Sequence, residues 1–336
     1  MKIYSQKRRI VLKNIKRIKD ILIKNSINFT ENEPLFEHNS IKIGGKAKIF
    51  ALPDNLDQFV FLLNLAEKNK TKYQILGKGT NTLFCDNGFD GIVICTKNLK
   101  SYQIFDDGIF AECGLGLFDL GNICAKNSLS GIEFCYGIPG SVGGAMVTNS
   151  GAFENQIGNF VEFVKIYENG KIFEISQNDM KFSYRSSILE NTKKVVLGTK
   201  FKLEKKEKDQ IENLQKNYFS KKVQTQPYGK LSLGSVFKRN LDFPPVSKLI
   251  DELGLKGYKI GDAMVSTKHA GFLINYANAT CKDFLLLVQY IQQKIFESYG
   301  FVPELEIKIA GDIDASFWRL SHTYKIQPTS SRQKHD

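Results

Sequence analysis

Three short segments carry the residue types from which a site for handling an anion could be assembled. Phe182-Ser183-Tyr184-Arg185-Ser186-Ser187 sets one arginine among small hydroxyls. A guanidinium is a planar fork of donors that matches a carboxylate or a phosphate, although a surface ion pair is the commoner use of a single arginine. Leu233-Gly234-Ser235-Val236-Phe237-Lys238-Arg239 places a serine after a glycine with two cations behind it, which suits either a plain turn or an anion site. Pro303-Glu304-Leu305-Glu306-Ile307-Lys308 spaces two carboxylates two residues apart. On a strand both would face one side, as on a solvated face or as paired acids.

Two glycine-rich stretches could supply a cradle. Gly137–Ala152 holds five glycines, one proline and no charge in sixteen residues, too apolar for a solvated linker. Such a cluster means backbone in conformations that only glycine reaches, or backbone pressed against a neighbour or a ligand. Leu76-Gly77-Lys78-Gly79-Thr80-Asn81-Thr82-Leu83 is the second stretch, between the apolar runs Lys72–Ile75 and Gly91–Ile94. Free backbone N–H groups in such loops suit phosphates or a flat ring. Neither loop is G-x-G-x-x-G opening a helix, nor a Walker loop. The expectation is two walls of one anionic-ligand site, the alternative a pair of buried turns.

Other chemistries lack their residues. The four histidines (His38, His269, His322, His335) are far apart in sequence without metal-ligand spacing, so no metal is expected. No G-x-S-x-G elbow occurs. Six cysteines are scattered without a C-x-x-C pair, and no apolar block of signal-peptide length follows the basic start, which reads as reduced thiols in a cytoplasmic protein.

The elements that must position these residues can be outlined. Residues 1 to 24 hold nine Lys/Arg against Asp20 alone, so this stretch carries +8 of the net +12. Ile10, Val11, Ile15, Ile18, Ile21 and Leu22 recur in it at helical spacing, an amphipathic basic helix that packs on the body or meets a membrane surface or nucleic acid. The remaining charge is near balance, so no nucleic-acid partner is expected. No run of eighteen apolar residues occurs, so no membrane span is expected.

Residues 30–38 read as an acidic linker, Asn39–Pro53 as a half-buried strand, and Leu56–Asn69 as a helix. Strands flank the first glycine loop. A hairpin turns at Asp106-Asp107-Gly108, and a helix over Leu117–Lys126 leads into the second loop. Strands at Phe160–Tyr167, Lys171–Ile175 and Val195–Leu203 precede a charged helix over 207–223. A last module holds helices at Val246–Leu253 and Lys282–Tyr299 and a strand at Leu305–Ala310. The expected division is 1–35, a basic helix and linker; 36–100 and 101–205, two α/β lobes; 206–311, a third module; and 312–336, a tail. Unaided, these residues support an anion- or nucleotide-binding α/β protein, an enzyme by the look of its site.

Taken in order, the segments resemble the UDP-N-acetylenolpyruvoylglucosamine reductase family of flavoenzymes. The likeness runs through Asn39–Ala47, both glycine loops, Tyr184–Ser187, Gly234–Arg239, Gly254–Gly261, Lys268–Phe272 and Glu304–Gly311. It covers roughly residues 36 to 312 in the family's order and spacing. The resemblance implies an α+β architecture: a vanillyl-alcohol-oxidase-type FAD-binding fold in two subdomains, with a C-terminal substrate domain. FAD would lie between Gly77, Gly79, Thr80, Asn81 and Thr82 of one loop and Gly137, Pro139, Gly140, Ser141, Gly143, Gly144, Asn149, Gly151 and Ala152 of the other.

NADPH would be the hydride donor, and a nucleotide sugar bearing an enolpyruvyl group the substrate, reduced to UDP-N-acetylmuramate for peptidoglycan synthesis. By family correspondence Arg185 supplies a cation, Glu306 a protonated carboxyl and Ser235 a proton to carbon. Tyr184, Lys222, Arg239 and His269 would contact substrate. A monomer is implied. Three departures stand out: Lys78 where the family has a small residue, Asp262 for a glycine, and a shifted proline at Pro303 that leaves Glu304 open beside Glu306. The short run from Arg185 to Val195 lacks the tyrosine-bearing loop of the longer family class. A related FAD oxidase, or a polybasic binding protein, is the alternative.

Overall fold

The computed structural model describes residues 15–311; the tail, and the N-terminal half of the basic helix, lie outside them. Within them, residues 15–24 are helical, with Ile15, Ile18 and Leu22 buried and the lysines outward. The apolar stripe therefore packs on the body, in one core with the helix Leu56–Lys68 and the sheet strands Lys46–Leu52 and Phe89–Cys95.

Two sheets flank that core. The first is ordered Asn28–Pro34, Lys46–Leu52, Phe89–Cys95, Tyr73–Leu76. Its last three strands in that order run parallel, and Phe89–Cys95 is apolar almost throughout, as a strand covered on both faces must be. Asn55 caps Leu56–Lys68 by accepting from the Gln58 N–H. The second sheet is antiparallel, ordered Lys171–Ser176, Val161–Glu168, Val195–Lys202, Gly108–Glu112, Tyr102–Phe105. The helix Leu117–Lys126 packs beside it.

The third module has its own core. Ser232–Ser235, Phe272–Asn275, Ala263–Val265 and Lys259–Ile260 form a sheet in that order. It packs on Val246–Glu252 and on Cys281–Tyr299, whose start is fixed by a capping box between Thr280 and Asp283. The long helix Lys208–Thr225 leads into this module.

Three expectations need correction. Residues 28–34 are not a linker but an edge strand antiparallel to Lys46–Leu52. Its side chains are mostly polar and exposed, so no alternation betrayed it. The expected strand over Asn39–Pro53 starts only at Lys46. Before it, buried Asn39 donates to Leu35 O and Ile43 O, closing a turn that sends Ile41 and Ile43 into the third module's core. The last strand is only Lys308–Ala310, parallel to Thr82–Phe84; Leu305 makes a lone bridge to Phe237. Glu304 and Glu306 consequently do not share one face. The Glu304 side chain is 74% exposed and that of Glu306 is 19% exposed.

Candidate active site

Glu306 is held from three directions. Its N–H donates to Val236 O (2.8 Å), its carbonyl accepts from Asn81 Nδ2 (3.1 Å), and Lys308 N–H donates to Asn81 O (2.9 Å). Asn81 of the first glycine loop thus positions the chain that carries the carboxyl. The side chain accepts from Arg185 Nε at 2.8 Å. Arg185 itself sits at φ +52°, in the left-handed region, within a tight turn bridged between Ser183 and Ser186. That conformation disfavours any residue with a Cβ. It is held because Nη2 donates to Gly151 O at 2.9 Å and Ser187 Oγ donates to Val147 O. The second glycine loop therefore holds the guanidinium, and the first holds its partner.

Ser235 reaches the same place by a bulge. Between the pairs Ser232–Ile274 and Ser235–Phe272 the register slips, and Gly234 takes φ +78° with open space about it. Ser235 is exposed into a cavity of about 460 Å³. Arg185 and Glu306 line that cavity, with Thr80, Gly137, Pro139, Gly151, Ala152, Lys222 and His269. A second cavity of about 530 Å³ is lined by Gly77, Lys78, Gly114 and Gly116, with Lys42, Lys97 and Lys100 against Glu37 and Asp119. Ser40 borders both, and its hydroxyl donates to Ser232 O.

Not every expected residue lines a cavity. Gly79 (φ +64°) packs where a Cβ would strike His38 O, and Thr82 pairs with Lys308. Ser141 caps the short helix Val142–Thr148 by accepting from Gly144, whose neighbour Gly143 is pressed on Cys113. Gly140 O accepts the Leu117 N–H, tying the loop to the start of the helix Leu117–Lys126. Asn149 is buried, accepts from the Gly158 N–H and donates to Ser183 O. These positions shape the loop rather than border the space. Tyr184 and Arg239 meet each other, the Arg239 N–H donating to the tyrosine hydroxyl at 3.3 Å, and neither lines either of these two cavities. The two loops do touch: a Cβ on Gly77 would lie 2.3 Å from Ser141 Oγ.

The charges here are displaced from their ordinary behaviour. Burial pushes the Glu306 carboxyl up, against the opposing pull of Arg185 and Lys238. Lys222 is buried and is pulled down to about 8, chiefly by burial, with Cys135 opposing and Arg185 adding a smaller downward pull. Its ammonium donates to Phe134 O at 3.4 Å and lies 5.8 Å from the Phe153 ring centre. Burial also lowers His269, whose Nδ1 accepts from the Gly271 N–H. Among the described residues one trio, Glu33, Glu37 and His38, brings possible metal-ligand atoms within 4.8 Å of one another. His38 is the histidine that the sequence left without ligand spacing, but its Nε2 already bonds Glu33 at 2.7 Å.

Comparison with known proteins decides what this site belongs to. Residues 226–310 match the family model of the UDP-N-acetylenolpyruvoylglucosamine reductase C-terminal domain, and residues 47–176 match that of an FAD binding domain. A UDP-N-acetylenolpyruvoylglucosamine reductase of Pseudothermotoga lettingae is 40% identical over 83% of this chain and 96% of its own. Its counterpart in Caldanaerobacter subterraneus is 38% identical over 89% and 98%. The chain belongs to the UDP-N-acetylenolpyruvoylglucosamine reductase family. The crystal structure of the Thermus caldophilus member superposes with a TM-score of 0.72 at 27% identity, over 84% of this chain and 98% of that one.

The fold is thus an FAD-binding domain joined to the reductase family's C-terminal domain, as in the Thermus caldophilus member. The surroundings fit FAD. The two cavities meet at Ser40 beneath both glycine loops, one rimmed by lysines suited to a diphosphate and the other lined by small residues and backbone suited to a flat ring. Sequence reasoning missed Ser40, Lys97, Lys100 and Tyr228 among the lining residues. Ser40 lay inside the Asn39–Ala47 stretch that carried the resemblance and could have been found there.

Proposed function

We propose that the chain is an NADPH-dependent flavoenzyme that reduces the enolpyruvyl group of UDP-N-acetylglucosamine-enolpyruvate to UDP-N-acetylmuramate. The observation that carries this reading is the convergence of Arg185, Glu306 and Ser235 on one cavity beneath the glycine loops, with the arginine and the acid 2.8 Å apart. Bound FAD, reduced by NADPH, supplies the hydride. Thr80, Gly137, Pro139, Gly151 and Ala152 would hold the ring, and Gly77 and Lys78 the diphosphate end.

Hydride addition to a vinyl carbon leaves negative charge on the neighbouring carbon and its carboxylate. Arg185 and Glu306 are fixed before that charge develops, which is where preorganised donors act most. A substrate carboxylate beside Glu306 raises it further by like-charge repulsion, keeping the proton on it for a hydrogen bond. Ser235 gives its proton to the carbanionic carbon, whose basicity makes a hydroxyl sufficient. Lys222 and His269 border the same cavity and would meet the substrate's anionic groups. Tyr184 and Arg239, paired beside it, would meet the more distant part.

The reading assigns 36–100 and 101–205 to the halves of the FAD-binding fold and 206–311 to the substrate domain, with a cytoplasmic location and a monomeric state. No helix among the described residues is long and apolar enough to cross a membrane. The test is an absorption spectrum of the purified protein. A yellow flavin band should bleach with NADPH and recover when the enolpyruvyl nucleotide sugar is added anaerobically; failure of the sugar to restore it rejects the reading. Sedimentation velocity checks the monomer.

A further inference from the structure

Glu190 borders neither cavity, and nothing in its sequence neighbourhood marks it, yet it joins the parts on either side of the reacting pair. Its Oε2 accepts from Ser186 Oγ at 2.9 Å, next in sequence to Arg185. Its Oε1 accepts from Lys308 Nζ, two residues beyond Glu306, and lies 3.7 Å from Lys238 Nζ, three residues beyond Ser235. Lys238 also binds Glu304, at 2.9 Å. The Glu190 side chain is 16% exposed, so these contacts are not ordinary surface pairs, which contribute little.

We propose that Glu190 is a positioning residue for the Arg185–Glu306 pair, acting through Ser186, Lys238 and Lys308. It fixes the arginine's turn against the two segments of the C-terminal domain that carry the acid and the serine. It also shares the charge of Lys238 with Glu304 and answers that of Lys308. Lys238 pulls Glu306 toward ionisation, and a Glu190 that stays ionised offsets that pull. Burial acts upward on Glu190 itself, but its bonds to Lys308 and Ser186 and the charge of Lys238 outweigh it.

The groups around Glu306 are Arg185 on the turn, Lys238 after the bulged strand, Glu304 and Lys308 on its own segment, and Lys222 and His269 across the cavity. Only the lysine pair at 238 and 308 is answered by Glu190.

This inference rests on the proposed function, and the experiment separates the two. The holoenzyme, Glu190→Gln and Glu190→Asp are compared by anaerobic stopped-flow, following flavin bleaching by NADPH and flavin recovery with the enolpyruvyl nucleotide sugar across pH. Glu190→Gln should leave bleaching unchanged and slow recovery by roughly tenfold to a hundredfold, as expected of misplaced groups. Its alkaline limb of recovery should move to lower pH, because Lys238 and Lys308, without the Glu190 charge against them, favour the ionised acid. Glu190→Asp keeps the charge but shortens the reach, so recovery slows while the limb stays in place. Unchanged recovery and limb in Glu190→Gln overturn the proposal, as does equal slowing of both half-reactions. Should Glu190→Gln fail to hold FAD, Glu190→Asp decides alone: slowed recovery with the limb in place supports the proposal, and wild-type recovery overturns it. A wild-type enzyme that the sugar does not reoxidise overturns the functional reading itself, whatever the variants do.

Discussion

The two cavities that meet at Ser40 handle charge in opposite ways. Around the first, Lys42, Lys78, Lys97 and Lys100 stand at a partly open rim, where Lys78 meets Asp119 only loosely, at 3.5 Å with both side chains about half exposed. Around the second, Arg185, Glu306 and Lys222 are withdrawn from water and held by backbone hydrogen bonds. Water-exposed cations attract a phosphate but are screened and easily replaced. Buried groups cost more to ionise, respond strongly to a new charge, and keep their geometry during a reaction. On the proposed reading, one cavity would hold a ligand and the other would change one.

This contrast can be broken by substitution. The largest effect is expected at the buried pair: Arg185→Met or Glu306→Gln should slow flavin recovery with the sugar by about a hundredfold to a thousandfold while sparing bleaching by NADPH, measured by single-turnover stopped-flow. Ser235→Ala should follow at about a hundredfold in the same half-reaction. Equal loss in both half-reactions would remove the serine from the proton-donor role.

Lys222 sharpens the comparison through pH. Its proton leaves near 8 in the folded protein, below the ordinary lysine value, so this side chain is cationic below that pH and neutral above it, while Arg185 keeps its charge throughout. Affinity for the anionic sugar should therefore fall as pH rises through about 8, and Lys222→Met should weaken binding by roughly tenfold and flatten that dependence; calorimetric titration at several pH values checks both. At the open rim, Lys78→Ala should weaken FAD retention only about two- to fivefold, and less at high salt. Smallest of all, Glu304→Gln should alter turnover by less than about twofold, which would confine the acid's role to Glu306.

What the sequence revealed depended on how local each signal was. The helices Leu56–Lys68 and Leu117–Lys126 and the hairpin at Asp106–Gly108 follow from caps, apolar spacing and turn residues that neighbours alone dictate. The edge strand Asn28–Pro34 was missed because Thr30, Glu31 and Asn32 face water in succession, and only its pairing to a later strand makes it a strand. Glycines in the two loops were visible, but not that Gly79 packs against His38 or that Ser141 caps a helix. The first is a contact across a long sequence separation; the second is local, but the glycines that follow Ser141 are poor helix formers and conceal the short helix. The choice between Glu304 and Glu306 stayed open for the first of these reasons, since a strand pattern places both on one face. Only the bonds from Val236 and Asn81 bury one of them.

The parallel pairing of Lys308–Ala310 with Thr82–Phe84 has a consequence for biosynthesis. Nearly the whole chain must leave the ribosome before its closing strand can find a partner laid down early in translation. That pairing is therefore the last step of folding, and a chain cut short just before residue 306 would lack both Glu306 and the strand that ties the C-terminal module back to the first glycine loop.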